Sequence, residues 1–204
     1  MSKAVAVLDY GSGNLHSVTR ALAATGAAVA LTADPQACLD ADGLVVPGVG
    51  AFAACMAGLR QARGPQLIAS RLAQGRPVLG ICVGHQVMFA EGVEHQVSTP
   101  GIGILPGVVE MLQAKPLPHM GWNTVSPPPG SQMFAGIADE RFYFVHSYAL
   151  RQPLPPQVGA TWTEVDADRF ISAVEHGPLW CTQFHPEKSG QAGARLLRNW
   201  VATL

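Results

Sequence analysis

Residues 4–8, Ala-Val-Ala-Val-Leu, form an apolar run too short for a helix, and the run predicts a buried strand. In the following LHSVTRALAAT, Leu15, Val18, Leu22 and Ala23 recur at helical spacing, and AAVALT (27–32) returns to a strand pattern. The alternation continues through GLVV (43–46), a helical stretch around 51–59, a second from Pro65 to Gln74, and PVLGI (77–81). Strands and helices in this order predict an α/β fold, a mostly parallel central sheet with helices on both faces.

Beyond residue 105 the pattern changes to short β-type pieces: VVEML, WNTV, FYFVHSY, GATWT, FISAVEH and LWCTQF, separated by Pro and Gly clusters. This predicts an added antiparallel β portion, with HGP (176–178) as a hairpin turn. SPPPG (126–130) and QPLPPQ (152–157) read as stiff surface loops. From Gly190 to Thr203 a closing helix places Ala194, Leu197 and Val201 on one face. No Pro, Gly or Ser stretch divides the chain, so residues 1–204 are expected to form a single domain.

Composition narrows the function. Charged residues make up only 13% of the chain against 48% apolar, and the formal net charge is -1. That leaves no electrostatic footprint for nucleic acid or an anionic membrane, and no run reaches a membrane span. A cytoplasmic protein is expected. Cys38, Cys55, Cys82 and Cys181 stand far apart, so they are expected to be reduced; no C-x-x-C or paired-His spacing marks a metal site, His119, His146 and His176 included.

Candidate chemistry gathers where the strands end. DYGSGN (9–14) fails the dinucleotide frame because position 16 is histidine, and it reads as a tight turn or a binding loop. Gly80-Ile81-Cys82-Val83-Gly84 has the spacing of a nucleophile elbow, which would lift Cys82 above the sheet and aim the Val83 N–H at the reacting group. A buried inert cysteine is the plain alternative. In Phe184-His185-Pro186-Glu187, an extended segment would put Glu187 beside His185, so that the carboxylate orients a ring able to serve the thiol as base. PGVGAF (47–52) offers backbone donors for an oxyanion, or an ordinary turn. His85 falls one turn beyond Cys82 and reads as a packing or pocket-wall residue rather than the base.

These motifs, GICVGHQVMF and FHPEKS above all, resemble the class I (triad) glutamine amidotransferases, and Cys82, His185 and Glu187 match the family's triad. VLDYGSGNLHSV, GIGILPGVVEML, LPHMGWN and FYFVHSY are similar to the branch formed by glutaminase subunits of imidazole glycerol phosphate synthase. The resemblance spans essentially the whole chain. It implies a flavodoxin-like fold, no cofactor, L-glutamine as substrate, and a heterodimer with a (β/α)8-barrel cyclase subunit that receives ammonia through a tunnel. The cyclase would form imidazole glycerol phosphate and aminoimidazole carboxamide ribotide in histidine biosynthesis. Carried over by position, Gly50, Gln86, Ser147 and Tyr148 would hold glutamine. Val49, Gly50 and Val83 would form the oxyanion hole, and Asn14, Trp122 and Lys188 would face the cyclase.

His85 departs from the methionine more usual there. G-H-Q is frequent in glutaminase subunits of anthranilate and aminodeoxychorismate synthases, which are the runner-up; a non-catalytic regulatory module on the same fold is a third reading. The isolated chain is expected to be nearly silent, with the 48–50 loop presenting a carbonyl until the loaded cyclase docks.

Overall fold

The apolar runs of the first eighty residues become neighbours in space. In a computed structural model describing residues 2–204, β1 (Ala4–Leu8), β2 (Ala28–Thr32), β3 (Gly43–Gly48) and β4 (Val78–Cys82) all run parallel. Every residue of β3 and β4 is buried, which is why these strands read as continuous apolar runs without alternation. The connecting helices are α1 (Leu15–Ala23), α2 (Pro35–Asp40), α3 (Phe52–Gln61) and α4 (Gly64–Ala73). A one-turn helix, α5 (Val83–Gln86), follows β4 directly.

The chain then builds β5 (Phe89–Glu94), β6 (Val97–Pro100), β7 (Leu105–Met111), β8 (His119–Thr124), β9 (Arg141–His146) and β10 (Tyr148–Leu150). It closes with β11 (Gly159–Val165), β12 (Asp168–His176), β13 (Leu179–Thr182), a 3₁₀ turn at Pro186–Lys188 and α6 (Gly190–Val201). The main sheet has the order β11-β12-β13-β4-β3-β1-β2; β13 joins the parallel part beside β4, and β11 and β12 extend it antiparallel. A smaller sheet, β10-β7-β5-β6, and the ribbon β8-β9 stand apart from it. The order in which the chain lays down its parallel strands changes side between β1 and β3, and the carboxyl ends of β1, β3, β4 and β13 meet near that switch point, where open α/β sheets bind ligands.

Four expectations are corrected. FYFVHSY is two strands broken at Ser147, and α2, β5 and β6 were not read from the sequence at all. The FHPEK segment is not extended throughout, because Pro186 opens a 3₁₀ turn. The buried face of α6 is Ala192, Gly193, Leu196, Leu197 and Trp200, leaving Ala194 and Val201 only partly covered. Glycine at 193 lets α6 press on that turn: a Cβ there would lie 1.9 Å from the Pro186 carbonyl oxygen.

An aromatic cluster fixes the later strands. Phe142 stacks on Phe184 at 4.4 Å between centroids, and Phe144 packs against both Phe184 and Phe170. Phe184 immediately precedes His185, so this core also anchors the site. Among the described residues no helix is long and apolar enough to cross a membrane.

Candidate active site

Cys82 ends β4 with φ 56° and ψ -112°, a conformation costing a non-glycine residue about 1–3 kcal/mol. The surroundings hold it there. A Cβ on Gly84 would lie 1.9 Å from the Val46 carbonyl oxygen, and one on Gly80 would lie 2.5 Å from that of Gly84. Only glycines let α5 fold back so closely on β3 and β4, and the result is a thiol at a sharp strand-to-helix turn.

His185 reaches the same place from the end of β13. Its N–H donates to the Tyr143 carbonyl at 2.9 Å, and its own carbonyl accepts from Ser189 Oγ at 2.7 Å. Its Nδ1 lies 2.7 Å from Glu187 Oε1, with both side chains almost fully buried. Burial alone would lower the pKa of His185. Hydrogen bonds and charge from Cys82 and Glu187 outweigh that and raise it to about 9. At neutral pH the ring is therefore held in its protonated form beside Cys82. Asn14, expected to face the cyclase, gives its Nδ2 to Glu187 Oε1 at 2.6 Å and adds a fourth member to the line.

These groups open on a cavity of about 220 Å³. Its floor is Cys82, Val83, Gln86 and His185; one wall is the run from Val145 to Tyr148, and the Val49–Gly50 loop faces it. Gln86 is buried, and its Nε2 is held by the Tyr148 carbonyl and Gln183 Oε1, both at 2.9 Å. Gln86, expected to bind substrate, thus has its Nε2 engaged within the protein. Trp122 and Lys188 come together around Tyr143, Trp122 at 6.1 Å and the Lys188 ammonium at 6.0 Å from that ring, and Lys188 borders the cavity mouth.

The Val49–Gly50 loop, expected to supply oxyanion donors, is engaged elsewhere. The Val49 N–H donates to Ser12 Oγ at 3.1 Å, and its carbonyl accepts from Cys55 Sγ at 3.4 Å. Of the 48–50 loop, the Val49 carbonyl is thus turned toward Cys55, and the Val49 N–H is not free. Gly50 has φ +89°, which suits glycine, and lines the cavity. Val83, the first residue of α5, has a leading N–H with no partner within its helix.

Sequence reading missed Glu94, the carboxylate that lines the cavity wall. Its Oε2 accepts the Phe52 N–H at 3.0 Å. Recognising β5 as a strand leading from α5 would have brought it to the site. His85 takes no part: it is fully buried, packs edge-on against Phe89 at 5.0 Å, and is absent from the cavity lining.

Comparison with known proteins bears on this geometry. The class-I glutamine amidotransferase family model matches residues 6–204. The imidazole glycerol phosphate synthase subunit HisH of Nocardia farcinica is 65% identical, covering 99% of this chain and 99% of its own. Subunits of the same name from Corynebacterium efficiens (60% identical, 98% and 99% covered) and Thermobifida fusca (59%, 100% and 100%) also match. Among solved structures, one described as a GMP synthase protein of Thermoplasma acidophilum aligns with a TM-score of 0.75 at 22% identity, covering 99% of this chain and 94% of that one. A structure of a glutamine amidotransferase aligns at 0.76 and 18% identity, covering 98% and 99%. At those identities the structural likeness is one of fold. By its fold, and by sequence identity along its whole length, the chain belongs to the class-I glutamine amidotransferases, in the branch of the imidazole glycerol phosphate synthase subunits HisH.

Proposed function

We propose that this chain hydrolyses L-glutamine with Cys82 as nucleophile and His185 and Glu187 as its partners, and passes the ammonia to a (β/α)8-barrel cyclase subunit of a cytoplasmic synthase. The observation that carries the chemistry is the strained Cys82 in one cavity with His185, whose ring is held by Glu187.

Glutamine enters with its side-chain amide over Cys82. Glu94 is placed to receive the α-ammonium, and Gly50, Gln86, Ser147 and Tyr148 border the rest of the amino acid. Cys82 Sγ, its proton already held on the His185 ring, attacks the amide carbon as a thiolate while the Val83 N–H and a donor of the Val49–Gly50 loop stabilise the oxyanion. The His185 proton goes to the amide nitrogen, the C–N bond breaks, and ammonia leaves a glutamyl thioester. Water then attacks with His185 as base, releasing glutamate and restoring the protonated His185 beside the Cys82 thiolate. Glu187 keeps the ring oriented throughout, itself held by Asn14.

The engaged Val49 N–H favours a chain that is slow alone and faster when a partner rearranges the loop. The exposed Met120 and Trp122 on β8, with Lys188 near the cavity mouth, supply the docking face. Reconstitution tests the assignment. With the barrel cyclase of its own synthase and the cyclase substrate, the chain is expected to support imidazole glycerol phosphate formation from glutamine. Activity only with a chorismate-using synthase would overturn it.

A further inference from the structure

The β8-β9 ribbon carries a hydrogen-bonded chain that the proposed reaction does not use. Asn123 Nδ2 lies 3.4 Å from His119 Nε2, His119 Nδ1 lies 3.2 Å from His146 Nε2, and His146 Nδ1 lies 3.0 Å from the Tyr148 carbonyl oxygen. A carbonyl only accepts, so His146 carries a proton on Nδ1. Burial lowers the pKa of both rings, His146 down to about 3, so each is neutral at physiological pH with a single proton. His146 Nε2 is then bare and accepts, which makes His119 Nδ1 the donor. His119 Nε2 is bare in turn and accepts from the Asn123 amide, which also donates to the Glu164 carbonyl at 3.0 Å. One arrangement of protons satisfies every link, and it runs from β8 toward the substrate.

The far end of this chain is the segment bordering the cavity. The Tyr148 carbonyl takes a second donor, Gln86 Nε2, and the Ser147 carbonyl takes the Leu112 N–H at 2.9 Å. Both carbonyls are thus held from inside the protein while Ser147 and Tyr148 face the cavity. The near end is β8, whose other face exposes Met120 and Trp122.

We propose that His119 and His146, both as Nδ1–H tautomers, are positioning residues that set the Ser147–Tyr148 segment for glutamine and fasten it to the β8 strand. The proposal rests on the glutaminase reading. His119 does not line the cavity, so it acts only through His146.

In the complex with the cyclase subunit, His119→Leu is expected to raise KM for glutamine about tenfold, the scale of one buried hydrogen bond, with kcat changed less than about threefold. His119→Asn, whose side-chain amide can stand where the imidazole Nδ1 stood, is expected to recover most of the loss. Ammonia-dependent synthesis by the same preparations reports on folding and docking. Absence of glutaminase activity in the wild-type complex would overturn the glutaminase reading itself. Wild-type activity with an unchanged KM in His119→Leu would overturn the positioning role alone. Should that variant fail to fold, isotope-labelled histidine NMR of the wild-type chain decides: both rings are expected as Nδ1–H at neutral pH. A ring protonated on Nε2, or an imidazolium, at either position would overturn the proposal.

Discussion

His85→Met should stabilise this protein, and its effect should grow in acid. The His85 side chain is fully buried, neither ring nitrogen makes a hydrogen bond of good geometry, and burial lowers its pKa to about 3, with the nearby Ile171 backbone acting in the opposite sense. A neutral imidazole brings one donor and one acceptor, and leaving such groups unpaired costs about 1–3 kcal/mol. Methionine is of similar size and flexible, so the packing change returns under about 1.5 kcal/mol. The expected net gain is about 1–2 kcal/mol, or a Tm rise of roughly 2–8 °C for a chain of this length.

The acid dependence has a definite sign. His85 is neutral in the folded state down to about pH 3 but takes up a proton below 6.5 once unfolded. Stability is therefore lost as pH falls through that window, by up to about 1.4 kcal/mol per unit for this one group. Methionine removes that loss. Between pH 7.5 and 5.5 the advantage of His85→Met should widen by about 1.4 kcal/mol, measured by urea unfolding at each pH. Equal stability at pH 7.5, with a gap that does not change with pH, would refute the reasoning.

Four further outcomes follow from the geometry. Ser12→Ala removes the acceptor of the Val49 N–H, and glutamate production by the isolated chain should rise about 2- to 10-fold, the worth of an ordinary hydrogen bond; no change would mean that contact does not restrain the loop. His185 is competent while protonated, so glutamine hydrolysis should fall as pH rises through about 9, and its contribution to stability, complete below about 6.5, is lost over the same rise. Glu187→Gln takes away one of the charges that raise this pKa, and the alkaline limb of kcat/KM should move to lower pH; an unmoved limb would remove Glu187 from the role. Arg71 is wholly buried and donates to the carbonyls of Cys38, Leu39, Ala41, Asp42 and Pro77, so Arg71→Met should cost at least about 3 kcal/mol in urea unfolding, and a loss under about 1 kcal/mol would contradict its role as the clasp of that corner.

The parallel core was readable because β3 and β4 are buried on both faces and show as unbroken apolar runs. The elbow was readable because close approach at Gly80 and Gly84 leaves its mark in residue identity. α2 had a usable signal that went unread: Asp34 accepts the Gln36 N–H at 3.0 Å, with proline opening the helix. β5 and β6 are short and partly exposed, with charged and small residues breaking any alternation. The α6 face was displaced because glycine at 193 has no side chain to mark it as buried, yet it is the point of tightest contact with the 3₁₀ turn. Glu94 was missed with β5, the strand that carries it to the cavity, whereas Asn14 meeting Glu187 joins residues far apart in the chain, and no local pattern announces it.

Trapping the acyl intermediate tests the central claim most directly. The chain, complexed with its cyclase and supplied with glutamine, is quenched in acid during turnover, and its peptides are mapped by mass spectrometry. A glutamyl group is expected on Cys82, lost on treatment with hydroxylamine and absent from Cys82→Ser. Steady turnover with Cys82 unmodified, or with the adduct on Cys55 or Cys181, would contradict the account.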